Sequence, residues 1–251
     1  MRIGDIEYPS LEGVVSEPEW QTRVELAALY RLAVQMDWDD LSITHISARV
    51  PGEPHYLMNP SGLLFEEVTA SSLVKVDLDG RIVADSPFEI VAGGWFPMKA
   101  VHEVREDANF VVHTHDIHGI ALSLREEGLL PLTQTVGFIL GDGIAYHDYD
   151  GVETYAERVA GLQQSLGAAN YMILRNHGLL TLGLNARQAF RRMNSLVRSC
   201  RIQLLAGRDR LVPIDAVILA TFREELRRAQ GNDPWPGLLR RLDRLEPSYR
   251  S

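Results

Sequence analysis

Cysteine and long apolar runs are both scarce in this chain of 251 residues. Its single cysteine cannot form an internal disulfide, which predicts a reducing compartment. No stretch approaches the roughly 20 apolar residues that span a bilayer, and residues 1–8 lack the apolar segment of a signal peptide. Basic residues are outnumbered, 25 Lys and Arg against 34 Asp and Glu, and the net charge of −9 argues against nucleic acid as a partner. We therefore expect a cytoplasmic protein that binds neither nucleic acid nor a membrane.

Apolar residues make up 45% and charged residues 24% of the chain. This balance excludes intrinsic disorder and suits one folded α/β domain. Residues 1–15 are predicted to form a loose N-terminal arm and residues 16–213 the domain. Residues 214–251 are predicted to form a C-terminal helix and tail, a candidate contact with a neighbouring subunit.

The apolar periodicity predicts interleaved strands and helices. Ser16 and Glu19 are predicted to form a capping box that opens a helix ending near Met36. Residues 73–83 alternate around Asp79-Gly80, which predicts a hairpin. Further strands are predicted at 109–115, 136–145, 171–175 and 179–182, and further helices at 96–105, 118–124, 155–166, 185–207 and 214–230. Because the hairpin excludes a purely parallel sheet, we predict an α/β fold with a central mixed, mainly antiparallel sheet between helices.

Three histidines lie at the ends of predicted strands. His113 and His115 are two residues apart on one strand, so both rings leave the same face of the sheet. His177 lies in the Asn176-His177-Gly178 turn between two apolar strands. Imidazole binds divalent metals, and three protein ligands with open positions are typical of a catalytic metal site. The alternative to a metal site is a polar patch at the strand end for His113 and His115. For His177 it is a turn residue hydrogen-bonded to the backbone.

Other polar residues are candidates to act beside such a site. His147 follows a predicted strand, and strand ends are where ligands gather in layered α/β proteins. Tyr146, His102 and His45 are further candidates. Asp116 directly follows the second histidine of the pair and is a candidate to orient its ring.

Four ordered motifs carry a resemblance to a known family. Residues 105–115, which end in His113-Thr114-His115, resemble the RPDxxxVVHTH signature of the class II aldolase/adducin family. The segment Asn176-His177-Gly178-Leu179 matches its second signature, and residues 59–62 and 76–80 match two further landmarks. The resemblance covers about residues 20–207. It implies a three-layer α/β/α fold, a metal ion held by His113, His115 and His177, and a homotetramer with its active site at a subunit interface.

Departures from the family pattern fall at its acid–base and phosphate-binding positions. The family's catalytic glutamate aligns with Gly94, and its two phosphate-binding serines align with Ala92 and Gly93. These departures resemble the adducin-like bacterial branch. The residues expected to bind substrate are Ser61, Gly62, Gln134 and His45. Proton transfer is expected to use His147, His102 or Tyr146, and the substrate is expected to be a small molecule without a phosphate.

Three functions are compatible with these residues. The first is a metal-dependent lyase that cleaves a C–C bond of a small hydroxy- or oxo-acid, as an aldolase or decarboxylase, with the ion stabilising an enolate. The ion is expected to be zinc, with Fe(II), Mn or Co as alternatives. The second function is a non-haem Fe(II) oxygenase acting on a 2-oxo acid, and the third is a non-catalytic, adducin-like binding module. One fold hosts many functions, so the fold does not select among them.

Overall fold

The structure is a computed structural model that describes residues 1–151, 158–228 and 233–251. The strands in these ranges are β1 (Arg2–Ile3), β2 (Ile6–Glu7), β3 (Ile46–Arg49), β4 (Tyr56–Met58), β5 (Val74–Val76), β6 (Phe110–Thr114), β7 (Ile144–His147), β8 (Tyr171–Leu174) and β9 (Gly178–Gly183). The helices are α1 (Glu17–Gln35), α2 (Ala92–Val104), α3 (Ile117–Ser123), α4 (Gln134–Asp142), α5 (Val159–Leu166), α6 (Ala186–Ala206), α7 (Ala216–Leu219), α8 (Phe222–Arg228) and α9 (Trp235–Leu245).

A central sheet of seven strands has the order β5-β4-β3-β6-β9-β8-β7. Its pairings are antiparallel except for the parallel pair β7 and β8. Apolar residues of α1 and α6 pack with one face of the sheet, and those of α2 and α5 pack with the other. The predicted three-layer fold with a mixed, mainly antiparallel sheet is therefore confirmed. Within the described ranges, the structure contains no helix long and apolar enough to cross a membrane.

Helix α1 begins where the sequence predicts, but only half of the capping box forms. The Ser16 hydroxyl accepts a hydrogen bond from the Glu19 N–H at 3.4 Å. The Glu19 carboxylate does not return to the cap, because it binds Arg23 and Lys75 at 2.8 Å each. Glu19 and Arg23 are buried, and half-buried Lys75 reaches Glu19 from the edge strand β5.

The strand predicted at residues 136–145 is wrong. Residues 134–142 form helix α4, and only residues 144–147 form a strand. Thr133 caps the helix by accepting a hydrogen bond from the Val136 N–H at 3.3 Å, and Val136 and Ile139 are buried three residues apart. Gly143, with φ of +96°, ends the helix and turns the chain into β7. A run of glycine and apolar residues is compatible with either element, and the cap selects the helix.

The two ends of the chain pack more closely on the domain than the sequence predicts. Tyr8 in the N-terminal arm is buried, and its hydroxyl lies 3.2 Å from that of Thr69. The single helix predicted at 214–230 is divided into α7 and α8, and α9 was not predicted. Trp235 and Tyr249 in the C-terminal segment are buried in the same core cluster as α1. Tyr155, predicted to lie in a helix, falls outside the described residues.

Candidate metal centre

The three predicted histidines come together at the ends of two neighbouring strands. His113 lies near the end of β6, His115 follows that strand, and His177 lies in the turn between β8 and β9. One ring nitrogen from each residue lies within 4.8 Å of the others, and the Nε2 atoms of His115 and His177 are 2.8 Å apart. No carboxylate of the described ranges completes this cluster. The donor set is three imidazoles, which suits a divalent transition metal.

Strand register and a tight turn bring His177 to the other two histidines. In the β6–β9 ladder His113 is opposite Leu180, so the residues before β9 lie beside the end of β6. Asn176 adopts the left-handed conformation of the turn, with φ of +59°. Gly178 is needed for a different reason, because it lets the turn pack directly against the end of β6. A Cβ at this position would overlap the Thr114 carbonyl oxygen and lie 3.3 Å from Cδ2 of His115.

Hydrogen bonds at Nδ1 orient the rings of His113 and His115, so that Nε2 is the atom of each ring able to bind a metal. His113 Nδ1 donates to the Leu179 carbonyl oxygen at 3.0 Å, and His115 Nδ1 donates to Asp40 Oδ2 at 3.0 Å. In a neutral imidazole with Nδ1 protonated, the lone pair is on Nε2. Burial, together with neighbouring His177 and His115, holds the pKa of His113 well below its usual value. The ring of His113 is therefore neutral, as a metal ligand must be.

The carboxylate that supports His115 is therefore not the one that the sequence suggests. Asp116 caps α3, accepting a hydrogen bond from the Gly119 N–H at 2.8 Å, and lies 3.6 Å from His118 Nδ1. Asp40, in the turn between α1 and β3, is the carboxylate that accepts the hydrogen bond from His115 Nδ1. The two are 75 positions apart, so no local pattern could have revealed the pair.

His45 joins the centre from the start of β3. Its carbonyl oxygen accepts a hydrogen bond from the His113 N–H at 3.1 Å, and its Nδ1 lies 3.1 Å from Asn59 Oδ1. The amide oxygen accepts, so Nδ1 carries the proton and Nε2 the lone pair. Burial lowers the pKa of His45 to about 4, so this ring is also neutral.

The other predicted substrate-binding residues divide into two groups. Ser61 and Gly62 lie in an exposed turn just after Asn59, the residue that holds His45, and Gly62 has φ of +82°. Gln134 is the exposed first residue of α4. The buried side of α4 packs in the core cluster of α1 and α6, away from the sheet face of His113. Ser61 and Gly62 thus follow the residue that holds His45, Gln134 lies on a helix of the other layer, and the substrate-binding roles of all three stay predictions.

His102 and Tyr146, both predicted to transfer protons, are occupied by internal contacts. His102 is buried, its Nε2 lies 2.8 Å from the Ser47 hydroxyl, and its Nδ1 donates to the Ala108 carbonyl oxygen at 3.0 Å. The Tyr146 hydroxyl accepts a hydrogen bond from the Leu129 N–H at 2.9 Å. Neither side chain belongs to the cluster of three histidines, and their catalytic roles stay predictions.

His147 lies on the sheet face of His113 but at the far edge of the sheet. Strand β7 is three places from β6 in the strand order, roughly 14 Å at about 4.8 Å per strand. The ring is buried beneath α5, where its Nδ1 lies 2.9 Å from the Ser165 hydroxyl. Its Nε2 has no hydrogen-bond partner among the described residues and lies 3.8 Å from Asp150 Oδ1. This placement favours a packing role, and the catalytic role of His147 stays a prediction.

The layered fold and the three-histidine cluster define a class of three-layer α/β proteins with a candidate metal centre. Residues 24–204 match the family described as the Class II Aldolase and Adducin N-terminal domain, and the chain belongs to this family. The resemblance predicted from the four motifs is therefore confirmed.

Relatives of known sequence or structure extend over most of the chain. A Pseudomonas aeruginosa protein named provisionally as an aldolase class 2 protein is 48% identical over 249 residues, 96% of each chain. Mouse alpha-adducin is 42% identical over 202 residues, 77% of this chain and 27% of alpha-adducin. An aldolase II superfamily protein from Pseudomonas syringae superposes with a TM-score of 0.88 at 41% identity, covering 97% of this chain and 100% of the other. An L-fuculose 1-phosphate aldolase from Glaciozyma antarctica superposes with a TM-score of 0.80 at 26% identity, covering 98% and 97%.

Proposed function

We propose that this protein is a metal-dependent lyase of the class II aldolase type that cleaves a C–C bond of a small, non-phosphorylated hydroxy- or oxo-acid. The observation that carries the proposal is the cluster of three imidazoles whose ligand atoms lie within 4.8 Å of one another. Family membership and the similarity to an L-fuculose 1-phosphate aldolase support aldolase-type chemistry. Zinc is the expected ion, with Fe(II), Mn or Co as alternatives, because imidazole binds all of them.

The residues around the centre have distinct tasks in this proposal. His113, His115 and His177 would hold the ion, which supplies a Lewis acid that polarises a substrate carbonyl. The Leu179 carbonyl oxygen orients the ring of His113, and Asp40 that of His115, each by accepting a hydrogen bond from Nδ1. His45 keeps the Nε2 lone pair to accept a hydrogen bond from a substrate hydroxyl, since Asn59 occupies its Nδ1. The start of α2 carries alanine and glycines at positions 92–94 and therefore no hydroxyl for a phosphate.

A second candidate function is a non-catalytic, adducin-like binding module. It is supported by the 42% identity with mouse alpha-adducin and by the separation of His102, Tyr146 and His147 from the centre.

The oxygenase alternative is supported by the donor set, which holds three imidazoles and leaves the remaining positions of Fe(II) open.

We also propose that the protein is a homotetramer with its active site at a subunit interface. Apolar side chains stay exposed near the C-terminal end of α6 and beyond it, with Leu205 77%, Val212 85% and Val217 75% exposed. A subunit contact formed by this segment would remove these three side chains from water. Light scattering coupled to gel filtration should give four times the mass of the 28.2 kDa chain, and a monomer would contradict the proposal.

The experiment that tests the proposed function combines metal analysis with two assays. Protein purified without added metal is analysed for bound metal, stripped with a chelator, and reloaded separately with zinc and with Fe(II). Pyruvate release from a panel of 4-hydroxy-2-oxo acids detects the lyase, and oxygen uptake with 2-oxo acids detects the oxygenase. Metal-dependent pyruvate release supports the lyase, and metal-dependent oxygen uptake alone replaces it with the oxygenase. Stoichiometric metal without activity in either assay favours the binding module.

A further inference from the structure

The turn between α1 and β3 carries a carboxylate to the back of the metal centre. Asp40 Oδ2 lies 3.0 Å from His115 Nδ1, on the side of the ring opposite to the Nε2 atom that faces His177. The Asp40 side chain is 45% exposed and that of His115 is 15% exposed. The carboxylate therefore holds the ring from outside the cluster of ring nitrogens and is not itself a member of that cluster.

The turn is anchored so that Asp40 keeps this position. Trp38 is buried, and its ring lies 5.2 Å from that of Phe190. Its backbone N–H donates a hydrogen bond to the Ala33 carbonyl oxygen at 3.0 Å. The Asp40 carbonyl oxygen accepts a hydrogen bond from the Ile43 N–H at 2.9 Å. Two non-glycine residues, Asp37 and Leu41, adopt positive φ values of 60° and 54°. Such conformations persist only where the surrounding structure holds them.

We propose that Asp40 is a positioning residue that sets the metal affinity of the centre by holding His115. The hydrogen bond from Nδ1 fixes the tautomer that has its lone pair on Nε2, and it fixes the plane of the ring relative to His113 and His177. The negative charge also makes His115 a better electron donor to a cation. This inference rests on the proposed metal centre and adds a residue from outside the signature motifs to it.

The test measures metal binding by four forms of the full-length protein: wild type, Asp40→Ala, Asp40→Asn and the matched control Asp39→Ala. Affinities for zinc and Co(II) are measured by competition with a chromophoric chelator, and the visible spectrum of bound Co(II) reports the coordination geometry. Asp40→Ala should weaken binding about 10- to 100-fold, the scale typical of such supporting groups, and alter the Co(II) spectrum. Asp40→Asn keeps an oxygen acceptor without the charge and should be intermediate. Asp39→Ala removes the neighbouring carboxylate of the same turn, keeps the bond from His115 to Asp40, and should match wild type.

Each result decides between the inference and the metal centre on which it rests. Equal affinities for Asp40→Ala, Asp40→Asn and Asp39→Ala, with an unchanged Co(II) spectrum, would overturn the role of Asp40 and leave the metal centre standing. A wild-type protein that binds neither ion would overturn both. If Asp40→Ala does not fold, as judged by circular dichroism, the comparison of Asp40→Asn with wild type decides the question, and equal affinity of these two counts against the inference.

Discussion

The imidazole of His45 occupies the space into which a side chain at position 94 would project. A Cβ built on Gly94 would overlap Nε2 and Cδ2 of His45 and lie 2.5 Å from Cε1. The ring is not mobile enough to yield easily, because it is buried and its Nδ1 is bonded to Asn59. The absence of an acid at position 94 and the presence of His45 are therefore linked. Glycine at position 94 leaves room for the imidazole of His45.

The first prediction follows from this overlap. Gly94→Ala should lower the free energy of unfolding by about 1–3 kcal/mol, the usual cost of overpacking, and Gly94→Glu should cost at least as much. Each substitution should be better tolerated together with His45→Ala, because the smaller residue vacates the space. Urea unfolding of the single and double variants measures this coupling.

Gly161→Ala in α5 is the control, because among the described residues the nearest atom to a Cβ there is Cε1 of His147, at 3.7 Å. It should be neutral or slightly stabilising, as alanine is favoured over glycine within a helix. A Gly94→Ala variant as stable as wild type would show that the ring moves aside at little cost. A destabilised Gly94→Ala variant that His45→Ala does not rescue would show that the overlap with His45 is not the cause.

The sequence predicts the parts of this molecule that local patterns control. The apolar run Phe110-Val111-Val112 identifies β6, and the two-residue spacing of His113 and His115 places both rings on one face. Residues 136–142 are misassigned because glycine and apolar residues fit a strand as well as a helix, and the hydroxyl cap of Thr133 is a weak local signal. The pairs Asp40–His115 and His45–Gly94 join residues 75 and 49 positions apart. Only the folded sheet brings such residues into contact.

The second prediction concerns the metal ligands. His113→Ala should remove most of the bound metal, because the two remaining imidazoles cannot replace the third donor. The variant should still fold, although the Leu179 carbonyl loses its donor at a cost of about 1–3 kcal/mol. Metal analysis and circular dichroism check the two statements. His55→Ala is the control, since the His55 ring bonds to Glu53 at 2.8 Å and lies outside the centre. Stoichiometric metal in His113→Ala would show that the ligands have been assigned to the wrong residues.

The third prediction is that sugar-phosphate cleavage is absent. Positions 92–94 offer no hydroxyl and no carboxylate, and the imidazole of His45 fills the space beside Gly94. Purified, zinc-loaded protein should therefore give no detectable cleavage of fuculose 1-phosphate or rhamnulose 1-phosphate in a coupled assay for dihydroxyacetone phosphate. An authentic sugar-phosphate aldolase in the same assay is the positive control. Efficient cleavage of either substrate would mean that other residues bind the phosphate and transfer the proton.

The fourth prediction concerns stability and pH, and it depends on His102. Burial, reinforced by the charge of Arg49, lowers the pKa of His102 to about 3, against an ordinary value near 6.5. Between these two values the unfolded chain binds a proton that the folded chain does not. The stability that depends on neutral His102 is therefore present above pH 6.5 and is lost progressively as the pH falls towards 3.

Replacing His102 by asparagine removes the group that binds this proton when the chain unfolds. The asparagine amide is chosen to donate to the Ala108 carbonyl oxygen as Nδ1 does, but it does not titrate. Between pH 6 and pH 4 the free energy of unfolding of His102→Asn should fall less steeply than that of wild type. The two slopes should differ by up to about 1.4 kcal/mol per pH unit. Urea unfolding is measured in chelator, so that the histidines of the metal centre contribute equally to both proteins. His45 has a lowered pKa as well, but it is present in both and cancels in the difference. Parallel pH profiles would mean that His102 is protonated in the folded protein, or that water enters its site as the pH falls.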